Sequence, residues 1–233
     1  MIRKLRTIIL MLALCASGSL LMISCGSSKQ AFNTKILPSE ISNIQVFDPF
    51  SVITLHKVFN ADISDSISYS AQTMLKDVLM NPALPLPITS FISYADPNLN
   101  DRIANEIMVL TSDLAKYSSF DNLVIPYLLD SLLDASGRRF GLVAYQTGYK
   151  RNAANYTLSL IASFSIGLLT LGSYYWVPIG ANSNISIAIV DAVNNNIAYY
   201  KSSFFSANPC NKKNITKQVN DIFEPLLNPK PKP

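Results

Sequence analysis

Histidine is almost absent from this chain: His56 is the only one in 233 residues. A lone imidazole cannot supply the ligand sets of most zinc sites, and no metal is expected. Cysteine is scarce as well, with three residues at positions 15, 25 and 210, none in a Cys-x-x-Cys pair. Charge is thin, at 15% Asp, Glu, Lys and Arg. No G-x-S-x-G elbow and no phosphate-cradling glycine loop occurs, so the chain carries no signature of a hydrolase or nucleotide enzyme and no cofactor is expected.

What is present begins at the N-terminus. Arg3, Lys4 and Arg6 form a basic region, Ile8 to Leu14 an apolar one, and Ser17-Gly18-Ser19 loosens the run before Leu20 to Ile23. This is the layout of a secretory signal peptide. It ends in Leu21-Met22-Ile23-Ser24-Cys25, which has the form of a lipidation site: the Cys25 thiol would accept a diacylglyceryl group behind the small Ser24. Met22 stands where Leu is commoner, and an ordinary signal peptide with a chance cysteine is the alternative. Several acyl chains hold a protein stably where one does not. The expectation is a signal peptide over 1–24, a lipidated tether over 25–41 and a bacterial cell-envelope address. The partner there is the bilayer, reached through acylated Cys25. Gly26 in place of Asp after Cys25 favours the outer membrane.

Cleavage before Cys25 changes the arithmetic. It leaves 209 residues, enough for one domain with a full core. It removes Arg3, Lys4 and Arg6, which takes the net charge from +4 to +1. A near-neutral surface gives no case for nucleic acid as a partner. Cys210 alone stays a free thiol, so no internal disulfide is available.

Along the remainder, Ile44, Val46 and Phe50 to Thr54 suggest a strand interrupted at Asp48-Pro49. Asp62 to Asp65 can cap a helix carrying Ile67, Ala71, Met74, Leu75 and Val78, stopped by Pro82. Ile88 to Tyr94 reads as a second strand. Ile103, Ile107, Leu110, Leu114 and Tyr117 form one helical stripe, capped by Asn98 or Asn100. Ile125, Leu128, Leu129, Leu132 and Leu133 form another, with Gly137 suited to its C-cap. Phe140 to Tyr145 reads as a buried strand. Ser183 to Ala192 and Ile197 to Phe205 pair as a hairpin around Asn194-Asn195-Asn196, because Asn tolerates positive φ. Ile215, Val219, Ile222, Phe223 and Leu226 mark a closing helix, and 229–233 a Pro/Lys tail. The fold class is α/β (α+β): a single domain over 42–228, with a mixed sheet covered by helices and a C-terminal hairpin and helix.

Residues 153 to 190 contain no charge, and Tyr156 to Trp176 is the greasiest part. A membrane helix needs about 20 such residues. It would put Lys150 and Arg151 on the outer side, against the positive-inside bias, and sever the hairpin from its sheet. A pair of strands is a second reading, supported by alternation from Tyr156 to Gly167, and would suit a membrane pore built from several subunits. A helix packed in the domain or at a subunit interface is preferred, because Ser159, Ser163 and Gly167 recur every four residues. In each reading the apolar segment 153–177 is the place for membrane or partner contact, through Leu160, Phe164, Leu168, Tyr174, Tyr175 and Trp176.

The remaining polar residues read as structural. His56 lies at a strand end with no nucleophile or carboxylate beside it in sequence. Asp62/Asp65 and Asp130/Asp134 fit caps and solvated helix faces, and Asp191 fits turn amides. Arg138-Arg139 and Lys212-Lys213 are short basic doublets.

The phrase Ile187-Ala-Ile-Val-Asp191-Ala192, a turn, then Ile197-Ala-Tyr-Tyr200 and a closing helix, resembles a known envelope module. It is similar to the amino-terminal domain of the TolB translocation protein, the curli secretion lipoprotein CsgG and lipoproteins of the GNA1162 type, over about residues 42 to 228. Gly148-Tyr149-Lys150-Arg151, Leu171-Gly172 and the hairpin also resemble lipoproteins of the Bacteroidota. The resemblance implies a non-enzymatic envelope role in assembly, trafficking or secretion, with homo-oligomers or other envelope proteins as partners.

Overall fold

A mixed eight-stranded sheet between two helical layers organises the described residues. The structure is a computed structural model and describes residues 30–32, 36, 38–81, 84, 86–92, 96–117, 120 and 123–228. The signal peptide, Cys25, Pro82 and the 229–233 tail lie outside them. In chain order the strands are β1 (Gln30–Phe32), β2 (Ile44–Val46), β3 (Phe50–His56), β4 (Ala61–Ile63), β5 (Ile88–Phe91), β6 (Phe140–Arg151), β7 (Ala181–Asp191) and β8 (Asn196–Phe205). The helices are α1 (Asp65–Leu79), α2 (Pro97–Lys116), α3 (Tyr127–Ser136), α4 (Ala153–Leu169) and α5 (Lys212–Leu227).

Strand β6 is the spine. Antiparallel β7 pairs with it from Phe140↔Asp191 to Lys150↔Ala181. Parallel β2 and then β3 share its other edge, with the break at Asp48-Pro49 between them. β5 extends β2 in parallel, β4 folds back on β3, and β8 continues from β7 to β1. Alternation on β7 sorts the two cores. Ile185, Ile187 and Ile189 pack under α1 and α5, with Leu75, Val78, Val219, Ile222 and Phe223. Ala188 and Val190 face α2 and α3, with Ile107, Leu114, Leu129 and Leu133. Each such aliphatic side chain removed from water stabilises by about 1.5–3 kcal/mol.

The helical stripes emerge as expected, and local signals set their ends. α2 is capped by Asp96, whose side chain accepts from Asn98 N at 2.9 Å, two residues before Asn98 and four before Asn100. Gly137 closes α3 at φ 64°, and Asn195 takes φ 46° in the β7–β8 turn. Three differences matter. The stretch expected as a tether over 25–41 already contains β1 and buried Ile36. β6 runs to Arg151 rather than ending at Tyr145, because its second half is held by strands on both sides. Asp62 lies in β4 and pairs with Lys57 at 3.6 Å, rather than capping α1.

Candidate functional site

Residues 152–180 leave the sheet between the last β6–β7 pair and form an apolar arm. Asn152 starts it: its backbone N–H donates to His56 O at 2.9 Å, and its side chain caps α4 by accepting from Asn155 N at 2.7 Å. α4 runs to Leu169 and the chain then reverses through Leu171 (φ 50°) and Gly172 (φ 80°). Gly172 N donates to Gly167 O at 2.7 Å and Leu171 N to Leu168 O at 3.1 Å, closing the helix as a Schellman motif does. Residues 175–180 return along α4 to β7.

The small residues explain why the segment is a helix with a strap and not two strands. Ser159, Ser163 and Gly167 lie on the face that receives the return segment. Ser163 Oγ donates to Trp176 O, and a Cβ on Gly167 would stand 3.3 Å from Tyr175 Cδ2. Tyr174 N donates to Thr170 Oγ1 at 3.1 Å. The strand-pair reading is therefore corrected: the alternation from Tyr156 to Gly167 is incidental, and spacing by four carries the structure. The subunit-pore reading built on strands over 156–176 loses its geometric basis with it. The packing also differs from a helix sunk in the domain, since the strap is what covers the small-residue face.

The remaining faces of α4 are apolar and uncovered. A helix apolar all round is normally buried in a core or a membrane. Here only Ser163 and Gly167 of α4 are buried. Of the residues expected to make contact, Leu160 is half-buried, while Phe164 (62%), Leu168 (63%), Tyr174, Tyr175 and Trp176 are exposed. Leu158, Ile161, Leu169 and Leu171 (95%) extend the same surface, and an all-apolar helix gave the sequence no means of choosing among them. An open groove of about 510 Å³ runs along the strap side, lined by Leu158, Ala162, Val177 and Ile179, with Arg151 at one end. No helix among the described residues is long and apolar enough to cross a membrane.

The arm has a built base. Arg151 bonds Ile179 O, Asn155 and Ser159, and Asn155 Nδ2 donates to Lys57 O at 2.9 Å. The His56 and Tyr149 rings meet at 4.9 Å beside it, and Tyr149 Oη donates to Ile179 O at 3.3 Å. His56 thus belongs to the foundation of the arm. The β3–β4 turn at this end presents Phe59, 99% exposed.

Of the other singled-out groups, Asp191 is built into the framework, while Asp130 Oδ1 is buried without a hydrogen-bond partner. Asp191 is fully buried and accepts from Arg139 Nε and Nη2 (3.0 and 2.8 Å), Val193 N and Asn194 Nδ2. Burial pushes its carboxyl up, but the Arg139 and Asn194 bonds outweigh it and hold the group below the usual carboxylate range. Asp130 is pushed up by burial and by Asp134. Cys210 is half-buried, its thiol raised mainly by burial and placed 3.5 Å from Ile67 O. Among the described residues no group of three His, Cys, Asp or Glu could hold a metal.

No protein-family model and no curated protein matches the chain. Solved structures with a similar course do exist. The PelC dodecamer from Paraburkholderia phytofirmans matches at 8% identity and TM-score 0.39, over 86% of this chain and 96% of that one. The LpoB C-terminal domain from Salmonella enterica matches at 10% identity and TM-score 0.31, over 72% and 92%. A DUF4136 family protein from Bacteroides thetaiotaomicron matches at 8% identity and TM-score 0.28, over 86% and 96%. At these scores the likenesses carry no assignment of function.

Proposed function

We propose that this is a lipid-anchored protein of the bacterial cell envelope, held at the outer membrane by acylated Cys25. Its role is non-catalytic and is exerted by contact, in envelope assembly, trafficking or secretion. The observation that carries the anchor is the basic-apolar leader ending in Leu21-Met22-Ile23-Ser24-Cys25. The contact role is supported by the exposed, uncharged arm of residues 152–180. Other envelope proteins or further copies of the chain are the partners of such a module.

Mass spectrometry of the mature N-terminus tests the anchor. The expected product begins at Cys25 with acyl chains attached, and Cys25→Ala should block both cleavage and modification. An unmodified Cys25 in mature protein defeats the reading. The non-catalytic part is tested through His56: loss of an envelope hydrolase activity in His56→Ala would overturn it.

A further inference from the structure

We propose that the arm of residues 152–180 enters the same bilayer that holds Cys25 without crossing it, so that the domain is fixed to the membrane at two points. The inference rests on the lipid-anchor reading and adds to it an orientation and a second membrane contact.

Gln30 lies opposite Lys201 and Phe32 opposite Tyr199, so the first residue of β1 is the one nearer Phe205. Phe205 lies opposite Ser183, near the end of the sheet where Lys150 and Ala181 release the arm. Only the residues from 25 to 30 separate the acyl site from β1, a reach of at most about 18 Å. The span of β8 left beyond Lys201 is about 13 Å. The acyl site is thereby within reach of the arm end of the sheet.

The protruding surface is Ile161, Phe164, Leu168, Leu169 and Leu171, with Tyr174 to Trp176 beside it, and no charge occurs from 152 to 190. Cations stand at the base, Lys150 and Arg151 on β6 and Lys57 in the neighbouring turn. Apolar tip and cationic base follow the order of a leaflet and its headgroups. Phe59 points to the same end as a smaller wedge.

Serving backbone polar groups within the protein lowers the cost of placing an irregular segment in lipid. Along the strap, Tyr174 N donates to Thr170 Oγ1, and Trp176 O and Ile179 O accept from Ser163 and Arg151. These are backbone groups that water would otherwise serve. With 17 residues, α4 is about 25 Å long, less than a hydrocarbon core of about 30 Å. Both ends of the arm return to one base, so it enters and leaves on one side.

Trp176 is the only tryptophan in the chain and therefore reports on the arm alone. The test reconstitutes the lipidated full chain into phosphatidylethanolamine–phosphatidylglycerol vesicles, with or without bromine on the acyl chains. The expected result is loss of roughly half of the Trp176 emission in the brominated vesicles, in keeping with burial at the headgroup–acyl boundary. Lipidated Phe164→Ser/Leu168→Ser protein, with both substitutions at exposed positions, should regain that emission while staying vesicle-bound. Emission that bromine leaves untouched overturns the proposal. So does emission shielded from acrylamide and equally untouched by bromine, with cross-linked dimers, which would make a second copy the occupant. The mass of Cys25 in the same preparation separates failure of the arm from failure of the anchor.

Discussion

Arg151 ties the two ends of the arm together: its Nε donates to Ile179 O at 3.1 Å, while Nη1 bonds Asn155 Oδ1 at 2.7 Å and Ser159 Oγ at 2.9 Å. One guanidinium thus joins β6, the first turns of α4 and the end of the strap. Arg151→Ala should loosen the strap by about 1 kcal/mol, a charge-assisted set reduced by its partial exposure. Chymotrypsin cleavage at Tyr174, Tyr175 and Trp176 should speed up several-fold while the thermal midpoint barely moves. Arg151→Lys should not rescue, because an ammonium lacks the planar fork. Unchanged cleavage in Arg151→Ala would remove the clamp.

The glycine three positions earlier is fixed by a different constraint. A Cβ on Gly148 would lie 2.3 Å from Asn182 O, a backbone atom of the paired strand. Relief would require β6 and β7 to separate where Tyr149 N also donates to Asn182 Oδ1 at 2.9 Å. Gly148→Ala should destabilise by about 2–3 kcal/mol, as overpacking against an unyielding wall does. Urea unfolding reads this directly, and wild-type stability in the variant would show that the strands can part there.

Asp191 sets the acid limit of the opposite end of the sheet. Its folded pKa lies below the ordinary carboxylate value, so the stability it contributes is present above about pH 4. That stability is lost as pH falls through the depressed folded value. Arg139→Ala should cost about 2–3 kcal/mol at neutral pH, the lower end for a broken pair because Arg139 is about a third exposed. The acid limb of its unfolding profile should also flatten. Parallel acid limbs for variant and parent would show that Arg139 does not hold the proton off Asp191.

Much of this architecture was legible because it rests on periodicity. The stripe from Ile103 to Leu114 and the alternation of Ile185, Ile187 and Ile189 each have one apolar face, and each packs as its period dictates. β1 and β4 were illegible because three-residue strands owe their existence to a partner: Gln30–Phe32 to β8, Ala61–Ile63 to β3. The second half of β6 is similar, since its polar residues are tolerated through contacts such as Gln146 Nε2 to Ser183 Oγ at 3.0 Å. The phrase Gly148-Tyr149-Lys150-Arg151 drew notice by resemblance. Its physical content, a close strand approach, a ring on His56 and a clamp, needed coordinates. The arm was half visible: its composition marked it for contact, but helical and strand periods coincide in a run this apolar.

Two small residues on α4 separate packing from propensity. Ser163 is buried and donates to Trp176 O, so Ser163→Val removes the donor and leaves that carbonyl unserved. The cost should be about 1–3 kcal/mol, borne by the arm rather than the sheet. Gly167 presents the opposite case. A methyl group there would meet only the edge of the Tyr175 ring at 3.3 Å, and a side chain can shift by the few tenths of an ångström required. Gly167→Ala should therefore stabilise α4, since replacing glycine inside a helix gains up to about 1 kcal/mol. Hydrogen exchange over 153–169 should be faster in Ser163→Val and slower in Gly167→Ala. Faster exchange in both would mean that the strap tolerates no added atom at Gly167, and that close approach, not the Ser163 hydrogen bond, holds the arm.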